Sequence, residues 1–503
     1  ENRENFFLPN FRQSPEMNIS VKECENLKPA EKFDSTNKTD DAEPEYYPSK
    51  AKDVKATMLT SVTWNFVLMS ILFSVNHGCV VACLSVATAR LESTGAWSSG
   101  IFYIAFIGSS LSVATHLVKT LGSRFAMMLS MGCFSCYVAC FLLETSSSAL
   151  ETPAAVIGAV IGGIGGGFAW TAQGAFFSET FEIYALMSDL SLSDSASLLA
   201  GVFAFIFLAV EVLIRLLSSV LLNRTGVGWS TVFWIYTVIA FLSTINMDFV
   251  KTYEMRKIKS NIKRDTSDGN KAPYYSIMSN LTATLRIFRD DPKMKYMFGL
   301  NAIFGLSVAF INSYVNGEFV DIVLNEENDE FVGYLGALSA AVSAILSLLF
   351  GILDNKIGKG YILILGTFSY VGVILPFLVY PNAEDWGLFA LVMVYVFQGV
   401  GRATYEGTLR ATFAEFFFQD KEVAFANKNL QVGVSFAIGY VLPFLLRCNQ
   451  PSNFCVSFSD GSLHDLLTFE LLILFVAILA ILGYWRASVL YEKEKLELLH
   501  RNK

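Results

Sequence analysis

Polar positions along this chain are gathered into short stretches. Between them run apolar segments of about twenty residues or more, long enough to cross a bilayer as helices. Twelve such segments can be marked: 57–87, 97–118, 123–143, 154–178, 196–222, 228–249, 296–316, 331–353, 360–380, 386–408, 426–446 and 465–485. Some exceed the length a bilayer requires and are expected to tilt or to project beyond it. A membrane barrel built of strands would instead show segments of about ten residues with alternating polarity, and the chain has none. The pattern predicts an all-α polytopic membrane protein. A polar, proline-punctuated tail over 1–54 is expected to be disordered. Beyond it come a six-helix bundle over 55–250, a linker over 251–295, a second six-helix bundle over 296–486 and a tail over 487–503. Within the linker, Leu281, Leu285 and Phe288 recur at helical spacing among Arg and Asp, which predicts an amphipathic interfacial helix.

Composition agrees with this division. Only 16% of the 503 residues are charged, against about a quarter in a soluble domain. The net charge of −8 says little about partners, because its sign varies by loop. The linker carries eleven Lys and Arg, whereas the loop 317–330 holds Glu318, Asp321, Glu326, Glu327, Asp329 and Glu330. The positive-inside rule places the linker in the cytoplasm, and twelve spans then place both tails there. The loops after segments four and ten are more acidic than that rule expects. No phosphate-cradling Gly-x-x-x-x-Gly-Lys-Ser/Thr loop, zinc-type His-Glu-x-x-His or nucleic-acid module is present. An enzyme, a cofactor, a metal and a nucleic-acid partner are therefore not expected, while the lipid bilayer is. Cys79, Cys83, Cys133, Cys136 and Cys140 lie within apolar segments and read as small fillers. Cys448 and Cys455 share a predicted exoplasmic loop, where a disulfide forms if the compartment is oxidising.

The two halves also read as copies. At an offset of 236 residues Asn65 meets Asn301, Asn76 meets Asn312, Gly122 meets Gly358, Gly163 and Gly165 meet Gly399 and Gly401, and Glu179 meets Glu415. Parallel repeats of six spans resemble the major facilitator fold. That superfamily carries a Gly-x-Leu-x-Asp-Lys/Arg-x-Gly-Lys/Arg turn between spans two and three and again between eight and nine. The second copy is similar to "GILDNKIGK", with Gly351, Asp354, Lys356, Gly358 and Lys359, although Asn355 stands at the acidic position. The first, "THLVKTLGSR", keeps Gly122 and Arg124 but has Lys119 where the acid belongs. The resemblance implies that these residues form a cytoplasmic gate; Arg410 and Glu415, which approach the cytoplasmic end of segment ten, read as part of such a gate or as snorkelling side chains.

Segment four carries "GIGGGFAWTAQGAFFSE". Gly158, Gly162 and Gly166 repeat every fourth residue, and Gly163 and Gly167 form a second such pair. In lipid the drive for helices to associate is close packing, and small-xxx-small faces permit it. The segment, with Trp170, Gln173 and Gly174, is also similar to span four of the uncoordinated-93-like branch of the superfamily. That branch has Gly-x-Gly-Asp-Ala in span ten, where this chain has Gly399, Gly401 and Ala403 but Arg402 in place of the acid. The resemblance implies either an orphan transporter or a non-transporting accessory that regulates a channel or escorts a receptor.

Ionisable groups inside a span cost several kcal/mol and usually face the bundle interior or a watery cavity. Glu211 and Arg215 sit four residues apart on one face of segment five, and Arg402, Glu406 and Arg410 form a plus–minus–plus series in segment ten. Asn65, Asn76 and His77 in segment one, and Asn301, Asn312 and Asn316 in segment seven, either bridge helices or line a central cavity. His77 is a candidate proton shuttle. Trp170, Gln173, Asn427, Lys428 and Gln431 complete a polar lining. Two readings remain. One is alternating-access transport of a small polar or anionic solute, coupled to protons or not. The other is an accessory protein bound to another membrane protein.

Overall fold

Without water to satisfy them, backbone N–H and C=O groups in a bilayer must bond within their own segment, so an apolar run becomes a helix. The computed structural model describes residues 47–144, 148–188, 190–252, 285–324, 329–381, 386–418, 421–446, 456–457, 463–464 and 466–501. Ten helices there are long and apolar enough to cross a membrane: Lys55–Ala87, Ser123–Leu143, Ala149–Ser188, Leu192–Leu222, Trp229–Phe249, Pro292–Asn316, Phe331–Asp354, Lys359–Val379, Leu388–Phe416 and Leu467–Glu497. An eleventh is the pair Trp97–Ser112 and Ala114–Leu121, bent by 54°. The predicted segment 426–446 lies in the helix Lys421–Leu446, which makes a further span. Its polar Asn427, Lys428, Asn429 and Gln431 are all buried, as befits a helix whose polar groups face protein rather than lipid. Counted along the chain these make spans one to twelve. A two-residue antiparallel pair, β1 (Val456–Ser457) with β2 (Leu463–His464), precedes span twelve.

Of the predicted linker helix, residues 285–290 are helical, with Leu285 and Phe288 exposed and Ile287 against the core. Leu281, Cys448 and Cys455 lie outside the described residues.

The glycines of span four show what they accomplish. A Cβ placed on Gly163 would lie 2.1 Å from the Phe102 carbonyl oxygen, and one on Gly167 would lie 2.6 Å from that of Phe106, so both glycines seat span two. On Gly158 and Gly165 it would meet the Cβ atoms of Cys140 and Cys133 on span three, at 2.8 and 2.5 Å. Span four thus has two smooth faces, and both are filled. Cys133 and Cys140, in no disulfide among the described residues, pack there as small side chains. The second half repeats the arrangement. Gly399 presses on the Ser339 carbonyl of span eight at 2.7 Å, and Gly401 on the Tyr370 ring of span nine at 2.6 Å. Gly122 and Gly358 close the matching turns with φ of +83° and +95°, a backbone that other residues rarely adopt.

The halves meet along two seams. Spans five and eight run antiparallel from Gly201 against Gly351, each glycine's Cβ position within 3.1 Å of the other's Cα, to Ser219 against Gly333. Spans two and eleven join through Tyr103, stacked on Phe436 with centroids 4.3 Å apart, and through Gly433 against Phe106. Bulky apolar side chains such as Trp64, Phe389 and Trp485 point outward.

Candidate functional site

Between the seams lies a cavity of about 140 Å³ whose wall draws on both halves. Its chemistry begins with the one-turn pair on span five. Arg215 Nε donates to Glu211 Oε1 at 2.8 Å, as the four-residue spacing predicts. The same carboxylate takes a second arginine from the opposite half. Arg402 Nη1 donates to Glu211 Oε1 at 2.8 Å, while its other guanidinium nitrogen reaches Oε2. Glu211 is only 1% exposed, sealed behind two guanidinium groups that themselves line the cavity.

A second layer adjoins it. Arg410 donates to Glu406 at 3.2 Å within span ten and to the Gln173 side-chain oxygen of span four. Its guanidinium lies over the rings of Trp170 and Phe203, 5.2 and 4.7 Å from their centroids. Lys428 of span eleven sits 4.2 Å from the centroid of Tyr405, whose ring stacks on Phe304 at 3.5 Å. Among the described residues no carboxylate lies within ion-pair distance of Lys428. Four cationic side chains (Arg215, Arg402, Arg410 and Lys428) therefore share two carboxylates, Glu211 and Glu406.

The structure sorts the other sequence candidates. His77, Trp170, Asn312 and Asn316 line the cavity. Asn316 accepts from the Tyr395 hydroxyl and donates to Asn312 at 3.2 Å. Asn65, Asn76 and Asn301 lie elsewhere. Asn65 pairs with the Lys251 backbone through both its donor and its acceptor. Asn76 donates toward Met131, Ser135, Ala240 and Thr244, binding span one to spans three and six. Asn301 donates to Gln431 at 2.7 Å, and Gln431 in turn donates to Asn427. Asn76 and Asn301 thus bridge helices, while Asn65 ties span one to the chain just beyond span six. Gln173 holds Arg410 from outside the lining.

Among the gate candidates, Arg410 belongs to the central layer just described and not to a bundle end. Lys359 Nζ reaches Glu415 and Ser193, the latter from the first half at 3.0 Å. Arg124 donates to the Asp248 and Val250 carbonyls, capping the end of span six. Lys119 closes the short helix before Gly122, Asp354 is buried and Lys356 is exposed. Sequence reading passed over Phe207, Phe304, Gln398, Tyr405 and Asn429, all of which line the cavity. The available signal was Gln398, one turn before Arg402. The aromatic residues carried none, among 43 phenylalanines.

The major facilitator superfamily description matches residues 92–439. Among curated relatives, "Protein unc-93 homolog A" of Xenopus laevis is 24% identical over 380 residues, covering 69% of this chain and 80% of that protein. Its counterpart in Homo sapiens is 22% identical over 386 residues, with the same shares. Among solved structures, a partially occluded inward-open xylose transporter XylE from E. coli aligns with a TM-score of 0.57 at 14% identity, over 85% of this chain and 97% of that one. The nucleoside transporter NupG aligns at 0.54 and 10%, over 85% and 99%. At such identities the structures speak for the fold. With a match across more than two thirds of its length, this chain belongs to the major facilitator superfamily, within which it is similar to the unc-93-like branch.

Proposed function

We propose that this membrane transporter-like protein moves a small anionic solute through the cavity by alternating access. The observation that carries the reading is the charge balance: among the described residues four cationic groups share two carboxylates, and Lys428 lines the cavity against the aromatic face of Tyr405. A buried charge costs several kcal/mol unless paired, and an anion in the cavity would supply the missing partner. It would also compete with Glu211 for Arg402. Because Glu211 and Arg402 belong to different halves, that exchange would loosen the seam and couple binding to movement. The glycine contacts along spans five and eight favour such rocking, since smooth surfaces slide past one another with little repacking.

The test is uptake into liposomes carrying the purified full chain, with labelled monoanions and neutral polyols, each with and without a pH gradient. Saturable uptake of anions, reduced about tenfold or more by Lys428→Gln, is expected, the loss corresponding to roughly 1.4 kcal/mol. Stimulation by an inward proton gradient would add proton coupling. Uptake of polyols but not anions would overturn the reading. So would the absence of all flux, which would turn attention to a partner-binding role.

A further inference from the structure

Beside the charged layer the cavity is lined by aromatic rings, four of them from the first half. His77, Phe134, Trp170 and Phe207 come from spans one, three, four and five and all line the cavity. The His77 ring centroid is 4.9 Å from that of Trp170, 5.1 Å from Phe207 and 5.6 Å from Phe134. Two of these rings also meet the charges, the Arg410 guanidinium lying 5.2 Å from the Trp170 centroid and that of Arg402 6.0 Å from Phe207. Among these rings, His77 Nδ1 is buried and has no hydrogen-bond partner among the described residues. A hydrated inorganic ion would gain nothing from such a lining. A flat organic body would, because aromatic rings gain about 0.5–1.5 kcal/mol from ring contacts beyond the area they bury.

We infer that the cavity takes a planar aromatic monoanion of the carboxylate class, its ring against the His77, Trp170 and Phe207 rings and its charged group toward Arg410 and Lys428. This rests on the reading of the cavity as an anion site. Ligand sites in general are mostly apolar walls with a few convergent polar groups that fix orientation, and this lining has that form.

The experiment is direct binding and thermal stabilisation of the purified full chain by benzoate, acetate, sulfate and benzyl alcohol. Benzoate is expected to bind about tenfold or more tightly than acetate or sulfate, a difference of roughly 1.4 kcal/mol, and benzyl alcohol to bind no better than acetate. Trp170→Leu should lower benzoate affinity by about tenfold and leave acetate within about twofold. His77→Leu, on another helix, should give the same split if Trp170→Leu fails to fold. Lys428→Gln should weaken both anions. Equal binding of benzoate and acetate would overturn the aromatic inference and leave the anion reading standing. Benzyl alcohol binding as well as benzoate would overturn the anion reading itself, and no binding by any probe would overturn both.

Discussion

The two halves of this molecule are copies where helices pack and strangers where they face the cavity. Gly163 and Gly165 seat spans two and three; their mates Gly399 and Gly401 seat spans eight and nine. Asn76 and Asn312 also occupy matching positions, yet Asn76 ties three helices together while Asn312 lines the cavity and donates to Tyr440. The difference has a backbone cause. Ile311–Phe319 and Tyr405–Leu409 are π-helical, whereas their mates 75–83 and 169–173 are ordinary α-helix. A π segment widens the turn and rotates the helix beyond it, and such segments gather at functional sites. Here they carry Asn312, Asn316, Tyr405 and Glu406, all of which reach the cavity. The second half has been re-aimed toward the cavity, and the first supplies aromatic rings and Glu211.

The largest effect should come from cutting the link between the halves. Arg402→Gln leaves Glu211 with Arg215 alone, and removing one partner of a buried pair costs about 3–5 kcal/mol. The double variant Glu211→Gln with Arg402→Gln is expected to be less destabilised than the sum of the single changes. Unfolding of each variant in detergent, arranged as a double-mutant cycle, reads the coupling. A sum that is simply additive would mean that the seam does not depend on this bridge.

Next comes the packing that the halves share. Gly163→Ala and Gly399→Ala both push a methyl group onto a carbonyl that cannot yield, and each should cost about 1–3 kcal/mol as overpacking. Gly407→Ala, in the π segment with nothing nearer than 3.8 Å, should cost far less. Equal costs at Gly163 and Gly407 would break the claim that the repeat is kept by close contact. The asparagines then sharpen the contrast. Asn76→Ala should lose about 1–3 kcal/mol of stability, because it strands buried groups, and leave anion uptake unchanged. Asn312→Ala should show the reverse, with altered uptake and little loss of stability.

Much of this was legible in the sequence, and the boundary has physical reasons. Apolar length and glycine spacing are local, so the spans and the smooth faces of span four could be read directly. The Glu211–Arg215 pair was readable for the same reason, since one helical turn brings the residues together. Arg402 lies 191 residues from Glu211 in sequence, and no periodicity announces such a pair. The offset that matched Asn76 with Asn312 was sound, but the opposite roles of the two depend on a π segment that composition does not encode. Arg410 was misplaced at a gate because counting residues from a span end ignores the Gln173 and Glu406 contacts that draw it into the central layer.

The smallest expected effect tests the comparison at the bundle end, where the same contact is made with different chemistry. The residue after each glycine turn reaches the glutamate of the same half. Ser123 Oγ donates to Glu179 at 3.2 Å, while Lys359 Nζ binds Glu415. The second contact also crosses between the halves, since Ser193 donates to Glu415 at 3.0 Å and accepts from Lys359. Neither Lys359 nor Glu415 is fully exposed, with side chains 13% and 21% accessible, so the pair keeps part of its attraction from water. Ser123→Ala should cost about 0.5 kcal/mol at any salt concentration. Lys359→Gln should cost about 1 kcal/mol at low salt and less as screening rises. Thermal unfolding of both variants at two ionic strengths measures the difference. If both losses are the same and neither responds to salt, the charge at Lys359 adds nothing to the turn, and the two ends are copies in energy as well as in geometry.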